Sequence, residues 1–537
     1  MGFSTDLTHR FSAGSDDLVS PSPPRQFRRS HGPAAALLVG AALAVAITLL
    51  PLAYLVMRTA EAGLPRVVSI VIRPNTLSLV GRSLLLTVTV TLLCLVLGLS
   101  LALLVSRTDL PFRRFFGVAA ALPLVIPSYV AAYAWLAAFR PMASFGGAVL
   151  VLTACTYPYV YLPVVAALRR ANPALEEVAR SLGYSPWRTA WTVTARQVRG
   201  SAMAGALLVA LYVLSDFGAV AILRFDVFTR VIYASYRGSF DRTPAAVLSV
   251  LLVLITITIT VAEARTRRGS VDLGDRAPAR RSGQWLLGCW RWPAAGAAAI
   301  VVAIALGFPM GSLGYWIQRS QQSGIDWARL GSSTWGTVQV ALAGALVTTL
   351  LALPVGILAA RHRSRATSAL LHAAYASHGL PGIVVGLSLV FFGVRFARPL
   401  YQELPMLVIA YVALFLPVAV GAVRASVAMS SPQLDQVARS LGSSPWQVLR
   451  RVTVPLALPG VTAGFALVLL TCMKELPATL LLRPTGLDTV ATSLWTQTDV
   501  VAYGRAAPYA AMLVLLGILP TVHLMRIYLL DRSPAHR

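Results

Sequence analysis

The sequence of 537 residues contains a single lysine, Lys474, and a methionine precedes it. Without a Gly-Lys pair the chain cannot form the phosphate-binding loop GxxxxGK[ST], whose lysine reaches the phosphates of a nucleotide. The HExxH motif of zinc peptidases and the GxSxG motif of serine hydrolases are also absent from the sequence. We therefore predict that the chain has no catalytic residues and does not hydrolyse ATP through a P-loop.

Residues that commonly bind metals are scarce, with 4 cysteines and 7 histidines. The cysteines have no paired spacing, which favours unreactive buried thiols over a metal cluster or a disulfide framework. They are Cys94, Cys155, Cys289 and Cys472. His372 and His378 share one apolar block, but their spacing does not place them on one face of a helix. We predict no metal site.

Apolar residues, in contrast, are abundant. Hydrophobic residues make up 57% of the chain and charged residues 12%, and the mean hydropathy is +0.70. They fall in blocks of about 20 residues, the length that an α-helix needs to cross a bilayer. We predict an all-α polytopic membrane protein of about 12 transmembrane helices. The spans are predicted near 33–57, 83–106, 115–139, 147–168, 201–223, 244–262, 293–317, 335–360, 368–393, 405–423, 460–482 and 506–525.

Acidic residues are also few, 20 against 46 basic ones, which gives a net charge of +26. If the amino terminus is inside, the inner segments carry about twice as many arginines as the outer ones, as the positive-inside rule requires. We predict a multi-pass protein of a bacterial inner membrane with both termini in the cytoplasm. Its charge then matches anionic lipid headgroups, and because it is scattered over short loops we expect no nucleic-acid partner.

One polar passage occurs twice between the apolar blocks. Residues 175–187, LEEVARSLGYSPW, match residues 434–446, LDQVARSLGSSPW, without a gap. Further pairs are Ser106-Arg107 with Ser364-Arg365, Leu122-Pro123 with Leu380-Pro381, and Asp216 with Glu475. Both copies start inside, so we predict two parallel repeats of about six helices, related by a pseudo-twofold axis along the membrane normal.

The duplication divides the chain into predicted units. Residues 1–32 are rich in Ser, Pro and Arg, which predicts a disordered cytoplasmic tail. The first bundle, here called the first repeat, spans 33–262 and contains a polar loop at 169–199. A cytoplasmic linker at 263–292 leads to the second repeat, 293–530, whose polar loop spans 424–459.

Each polar loop has the signals of a short helix. Asn172 or Ser431 can cap its start, a proline follows, and Gly183 or Gly442 can end it in a left-handed conformation. Apolar residues recur at helical spacing in both copies: Leu175, Val178, Ala179 and Leu182 in the first, Leu434, Val437, Ala438 and Leu441 in the second. This stripe either packs on the protein's own inner surface or meets a partner with two equivalent copies.

These loops carry a resemblance to a known family. The patterns Glu177-Val-Ala-x-x-x-Gly183 and Val437-Ala438-x-x-x-Gly442 resemble the EAA loop of type I ABC importer permeases, whose loop helix docks on the ATP-hydrolysing subunit. More narrowly, residues 122–129, LPLVIPSY, and 473–484, MKELPATLLLRP, are similar to the fused permeases of the ferric-iron uptake branch, which also contains thiamine and other small-solute relatives.

The resemblance implies the type I permease fold, a separate ATPase dimer that binds ATP and Mg, and an extracytoplasmic solute-binding protein. The chain itself would hold no cofactor. The implied ATPase-coupling residues are Glu177, Ala179, Gly183, Gln436, Ala438 and Gly442. Gln436 stands where the family has an acid, and Ala195-Arg196 stands where it has Leu-Pro, which predicts unequal docking contacts. Ferric iron is the first choice of cargo, with thiamine, a polyamine or a phosphonate as alternatives. An autonomous secondary transporter is the rival class.

Three charged residues fall inside predicted spans: Asp216, Lys474 and Glu475. Each ionised residue at mid-depth costs roughly 2.5 to 3.5 kcal/mol on insertion scales, so such residues should face a cavity or each other. We expect Asp216 and Glu475 to approach the central axis and Lys474 to neutralise one of them. The three residues then form an ion-pair network that holds the repeats together, a contact for a passing cation, or a gate.

Overall fold

The computed structural model describes residues 35–267, 285–322, 324–362, 364–377 and 379–530. The predicted tail at 1–32, most of the predicted linker, and His378 lie outside these ranges. The described residues form 25 α-helices joined by short turns. The first repeat contains α1 (Ala35–Glu61), α2 (Leu64–Val71), α3 (Pro74–Arg107), α4 (Arg113–Ala119), α5 (Ser128–Ala138), α6 (Phe145–Thr156), α7 (Pro158–Arg170), α8 (Pro173–Ser181), α9 (Pro186–Thr189), α10 (Ala195–Ser215), α11 (Gly218–Ile222), α12 (Phe228–Gly238) and α13 (Thr243–Arg267).

The second repeat follows the same order of elements. It contains α14 (Arg291–Val302), α15 (Phe308–Gln322), α16 (Trp327–Arg361), α17 (Arg365–Tyr375), α18 (Gly382–Phe396), α19 (Leu404–Met429), α20 (Pro432–Ser440), α21 (Pro445–Val448), α22 (Val454–Lys474), α23 (Pro477–Leu482), α24 (Val490–Asp499) and α25 (Tyr503–Leu530). Nine helical segments of the described chain are long and apolar enough to cross a membrane. Shorter apolar helices lie at the ninth and twelfth predicted spans, so the all-α polytopic fold is confirmed.

The third predicted span, 115–139, is not one straight helix. The segments Arg113–Val125 and Ser128–Ala138 meet at a bend of 93°. Pro127 stands at the bend with extended backbone, because a proline lacks the N–H that would continue the helix and its ring crowds the preceding turn. The ninth span is also broken, with Pro381 directly before α18.

The fifth span of each repeat ends earlier than predicted. α10 ends at Ser215 and α22 at Lys474, and the next residues, Asp216 and Glu475, have extended backbone with ψ 125° in both cases. Short helices α11 and α23 follow as separate elements. The predicted spans 201–223 and 460–482 therefore each combine a membrane helix with a short helix beyond it.

The first span of each repeat packs against the other repeat. α1 lies against α16, α18 and α19, and Ala41, Ala44 and Leu55 are fully buried in the core of the second repeat. In the opposite direction, α15 lies against α5, and Leu313 is buried in the core of the first repeat. The two repeats, which follow one another in the sequence, therefore interlock in space.

Equivalent contacts correct the predicted pairing of the two repeats. Ser83 Oγ accepts a hydrogen bond from the Phe228 N–H at 3.2 Å, and Thr337 Oγ1 accepts one from the Val490 N–H at 2.8 Å. Two further pairs have the same spacing in residue number as Ser83 and Thr337. Arg107 and Arg361 are the last residues of α3 and α16, and Pro127 and Pro381 directly precede α5 and α18. The pairings of Arg107 with Arg365 and of Pro123 with Pro381 are therefore wrong. The difference in residue number between equivalent positions changes after these helices, because α18 has 15 residues whereas α5 has 11.

The interlocking of the repeats predicts that the chain can be cut within the linker. Residues 1–274 and 275–537, expressed together, are expected to copurify from detergent, because each half buries the other's first span. Removing residues 1–62 from the first fragment should reduce the recovered complex about tenfold or more, since each 1.4 kcal/mol of lost packing is a factor of ten. Equal recovery with and without residues 1–62 would show that the second repeat does not hold the first span of the first repeat. Affinity capture of a tagged second fragment measures this.

Candidate functional site

The two repeated loops form matching short helices, as predicted. α8 and α20 have 9 residues each. Asn172 Oδ1 accepts a hydrogen bond from the Ala174 N–H at 3.0 Å, and Ser431 Oγ accepts one from the Gln433 N–H at 3.3 Å. Both side chains therefore act as N-caps, which satisfy N–H groups that have no partner inside the helix.

A glycine ends each of these helices. Gly183 has φ 82° and Gly442 has φ 85°, the left-handed conformation that was predicted. The next residues close the turn: the Tyr184 N–H donates to the Ala179 carbonyl, and the Ser443 N–H donates to the Ala438 carbonyl, both at 3.1 Å. A Cβ at either glycine would meet no atom within 4 Å, so backbone conformation alone selects glycine here.

The apolar side chains of the loop helices are largely exposed. We call six of them the loop stripe: Leu175, Val178 and Leu182 with Leu434, Val437 and Leu441. Their exposed fractions run from 43% to 80%. Ala179, in contrast, is buried and faces the protein. The six leucine and valine side chains therefore do not pack on the protein's own inner surface and are available to a partner, whereas Ala179 of the predicted stripe does pack on the protein.

An acidic residue that sequence reasoning did not single out anchors the first loop helix. Glu176 Oε1 lies 3.1 Å from Arg107 Nη2, and both side chains are almost fully buried. The same oxygen accepts a hydrogen bond from Thr194 Oγ1 at 3.0 Å. Glu177, the predicted ATPase-coupling residue, is exposed. The loop helix is thus joined to the end of α3 and to the start of the fifth span.

The second loop repeats this anchor. Asp435 Oδ2 lies 3.2 Å from Arg361 Nε, and Asp435 Oδ1 accepts a hydrogen bond from Thr453 Oγ1 at 3.3 Å. Gln436 is exposed, so the absence of an acid there does not remove the anchor. The sequence already contained the signal, because positions 176 and 435 are acidic in both copies whereas 177 and 436 are not.

A π-helical turn leads each loop into the fifth span. The turns are Ala190–Thr194 and Leu449–Thr453, and each ends at the threonine that donates to the anchoring carboxylate. Single π turns inside α-helices are rare and are often found at functional sites. The sequence difference between Ala195-Arg196 and Val454-Pro455 leaves this turn unchanged.

His362 distinguishes the base of the second loop. It follows Arg361, and its Nδ1 is buried without a hydrogen-bond partner among the described residues. Burial and the nearby positive charge of Arg439 lower the pKa of this histidine below its ordinary value. The neutral imidazole is therefore favoured.

Asp216 and Glu475 occupy equivalent sites at the carboxyl ends of α10 and α22, as their sequence pairing predicts. Asp216 Oδ1 accepts hydrogen bonds from the N–H groups of Ala219 at 3.0 Å and Val220 at 3.4 Å. Its other oxygen accepts a hydrogen bond from Ser128 at the start of α5. Asp216 therefore caps α11 and holds it to the bend of the third span.

Glu475 makes the same kind of contact in the second repeat. Oε1 accepts from the Ala478 N–H at 2.8 Å, and Oε2 accepts from the N–H and Oγ1 of Thr479 at 2.8 Å and 2.5 Å. A Cβ at Gly382, the first residue of α18, would lie 2.8 Å from Oε1. Glycine at this position therefore leaves room for the carboxylate beside the start of α18.

Lys474 does not neutralise either carboxylate, which corrects the prediction. Its Nζ donates a hydrogen bond to the Leu124 carbonyl of the first repeat at 3.1 Å, and neither Asp216 nor Glu475 lies within the 4.0 Å of a salt bridge. Tyr129 donates its hydroxyl hydrogen to the Lys474 carbonyl at 3.3 Å. The bend at Pro127 frees the Leu124 carbonyl for this contact. Sequence reasoning missed Ser128 and Tyr129 because it did not predict the bend.

Aromatic side chains close the end of the molecule opposite the loops. The rings of Phe217 and Trp495 lie 5.1 Å apart across the two repeats, and the ring of Tyr233 lies 6.2 Å from that of Trp495. Tyr236 and Phe391 make a similar contact at 6.1 Å. Phe217 is 1% exposed and Trp495 9%. The two repeats are therefore in contact at this end.

Comparison with known proteins gives one matching family and several relatives. The family of binding-protein-dependent transport system inner membrane components matches residues 95–266 and again 352–530. The Fe(3+)-transport system permease protein FbpB 2 of Haemophilus influenzae is 36% identical over 483 residues, which cover 89% of this chain and 95% of the relative. A putative 2-aminoethylphosphonate permease, PhnV of Salmonella typhimurium, is 29% identical over 28% of this chain and 57% of its own length. The sulfate permease CysW of Synechocystis is 27% identical over 32% of this chain and 71% of its own length.

Proposed function

Because the chain belongs to the family of binding-protein-dependent transport system inner membrane components, we propose that it is the permease of an ATP-driven importer of ferric iron. The chain is a multi-pass inner-membrane transport protein, not an enzyme. Iron is the preferred cargo since the iron-transport relative matches over 95% of its length. The phosphonate and sulfate relatives match over about a third of this chain.

The partner that supplies energy is a separate ATPase with two equivalent subunits, which binds ATP and Mg. The observation that supports this is the loop stripe, present on two helices of the same geometry and exposed in both. An isolated helix of 9 residues is marginal in water. The anchor holds one side of it, and the exposed loop stripe leaves the other side for the ATPase. Ala179, Gly183, Ala438 and Gly442 shape this surface, and Glu177 and Gln436 lie exposed beside it.

The anchors turn each loop helix into a rigid connection to the membrane helices. A movement of the ATPase reaches α3 through the pair of Glu176 and Arg107, and α10 through the bond of Glu176 to Thr194. The far end of α10 holds Asp216, which is bonded to the bend of the third span. As the ATPase subunits close and separate, the permease therefore opens alternately to one side of the membrane and to the other. A solute-binding protein delivers cargo at the outer face.

The loops must lie in the cytoplasm, where the ATPase is. In this proposed orientation both termini are inside, which the excess of arginine in the predicted inner segments supports. The aromatic contacts between Phe217 and Trp495 then close the outer side.

The test is reconstitution in proteoliposomes. The chain together with its ATPase and a binding protein loaded with ⁵⁵Fe should accumulate iron when ATP is present, and the chain alone should not. Accumulation by the chain alone without nucleotide would identify a secondary transporter. Stimulation of ATP hydrolysis by a binding protein loaded with phosphonate or sulfate, and not with iron, would change the cargo.

A further inference from the structure

The chain that follows the anchor of the first loop is bonded to the segment that leads into the second repeat. The Trp285 N–H donates a hydrogen bond to the Arg107 carbonyl at 2.7 Å, and the Asp109 N–H donates one to the Trp285 carbonyl at 3.3 Å. The Leu287 N–H donates to Asp109 Oδ1 at 2.8 Å. The start of the second repeat therefore lies at the same end of the molecule as the loop helix α8, because Arg107 also binds Glu176 of that helix.

Two membrane spans begin beside this junction. One is the bent third span, which starts at Arg113, and the other is the first span of the second repeat, whose helical segment starts at Gly288. Helices α4 and α14, near the starts of these spans, pack against each other. Adjacent ends of membrane helices lie at the boundary between the hydrocarbon core and the polar headgroups. The region around these two starts is therefore at the depth of the phosphate groups of the bilayer.

Large apolar side chains at this boundary are exposed. We call them the apolar rim, which consists of Phe112, Phe115, Leu286, Trp290 and Trp292. Their exposed fractions run from 60% to 86%. Aromatic rings are enriched at the membrane–water boundary, where one part of the ring contacts acyl chains and another part contacts headgroups. The apolar rim therefore offers a surface that lipid, and not water, is suited to cover.

Three exposed arginines lie beside the apolar rim. Arg113 and Arg114 line an open cavity of about 370 Å³, whose wall also contains Asp109. Neither of these two arginine side chains has a hydrogen bond or an ion pair among the described residues. The guanidinium group of Arg291, at the start of α14, lies 5.5 Å from the centre of the Trp292 ring. The carboxylate of Asp109 is already engaged by a backbone N–H, so the site is positively charged.

The second repeat has no copy of this site. Residues 112–115, FRRF, correspond to residues 366–369, ATSA, at the spacing that relates the ends of α3 and α16. The arginine pair and both phenylalanines are therefore absent from the equivalent position. The fold that the repeats share does not require these residues, which indicates a role specific to the first repeat.

We propose that this site binds an anionic phospholipid, with its phosphate on Arg113 and Arg114 and its acyl chains against the apolar rim. A guanidinium group presents its N–H donors in a planar fork that matches the oxygens of a phosphate. Basic pockets between membrane helices are suited to anionic headgroups. A soluble phosphate ion would use the arginines and leave the apolar rim uncovered, so the rim favours a lipid. The bound lipid joins α4 to α14 beside the chain that carries Arg107, and it thereby stabilises the base of the first loop.

Quenching of a fluorophore by spin-labelled lipids tests the proposal. Cys289 is exposed next to the apolar rim, whereas the other three cysteines are buried, so a maleimide dye marks this position selectively. The labelled chain is placed in phosphatidylcholine nanodiscs with a small fraction of spin-labelled phosphatidylglycerol or, in parallel, of spin-labelled phosphatidylcholine. We expect stronger quenching by phosphatidylglycerol at equal mole fraction, and added inorganic phosphate should not reverse it. Equal quenching by the two lipids, or reversal by phosphate, would overturn the lipid site.

Paired arginine variants identify the residues that bind the lipid. Arg113→Gln with Arg114→Gln should lower the affinity for phosphatidylglycerol about 25-fold, because each arginine near an anionic surface contributes about fivefold. The matched control, Arg169→Gln with Arg170→Gln, removes two exposed arginines near the first loop and should leave quenching at Cys289 unchanged. Unchanged affinity in the first variant, or an equal loss in the control, would overturn the site. If the first variant kept its lipid preference but no longer copurified with the ATPase, the patch would belong to the ATPase interface instead.

Discussion

Replacing Glu176 with alanine is expected to destabilise the permease and to uncouple it from its ATPase, although Glu176 is not part of the loop stripe. Its carboxylate lies 3.1 Å from Arg107 Nη2, and the two side chains are 5% and 4% exposed. Removing one member of a buried ion pair leaves the other charge without a partner, at a cost of about 3–5 kcal/mol. Thermal unfolding in detergent and ATP-driven uptake in proteoliposomes measure the two effects.

The neighbouring residue provides the matched control. Glu177→Ala removes an exposed carboxylate from the same helix turn, so unfolding should be unchanged and any effect should be confined to ATPase binding. Arg107→Ala should resemble Glu176→Ala, and the double variant should lose much less than the sum of the two, because both changes remove one interaction. If Glu177→Ala destabilised the protein and Glu176→Ala did not, the anchor would be misassigned.

The equivalent change in the second loop should have a smaller effect. The side chains of Arg361 and Asp435 are 12% and 16% exposed, so water screens this pair more than that of the first loop. The two loops therefore differ in the burial of their anchors. The unequal docking contacts that Gln436 and Ala195-Arg196 predict concern the ATPase and stay a prediction.

Local structure of the loops could be predicted from the sequence because it depends on neighbouring residues. An N-cap at Asn172 or Ser431 and a left-handed glycine at Gly183 act within one turn of a helix, and both were predicted correctly. The anchoring role of Glu176 could not be derived from neighbouring residues in this way. It depends on Arg107, which lies far away in the sequence and meets the loop only after the helices have packed.

Breaks within the spans were missed for a related reason. Hydropathy reports whether a segment is apolar, and both arms of the third span are apolar, so the bend at Pro127 leaves the profile unchanged. Because the bend was not predicted, Lys474 was assigned a carboxylate partner. The true partner is a backbone carbonyl that only a broken helix leaves free. Composition also cannot predict that the first span of each repeat packs against the other repeat, because lipid and a neighbouring helix are equally apolar.

Placing a carboxylate on both loop stripes is expected to abolish ATPase binding while the permease still folds. Leu182 is 72% exposed and Leu441 is 80% exposed, so Leu182→Asp with Leu441→Asp disturbs no internal packing. Each change removes an apolar contact worth about 1.5–3 kcal/mol and adds a charge that docking would bury, so the double variant should bind at least about 100-fold more weakly. Copurification with the ATPase and ATP-driven uptake should both be lost.

Variants of the serine that precedes each of these leucines separate the effect of the loop stripe from the effect of added charge. Ser181→Asp with Ser440→Asp adds the same two charges on exposed positions of the same helices but outside the stripe, and it should keep most of the ATPase affinity. Equal losses in the serine and leucine variants would show that charge, and not the stripe, determines binding. Of the single leucine variants, Leu182→Asp should be the more harmful, because the better-buried anchor of Glu176 makes the first loop the more rigid connection to the membrane helices.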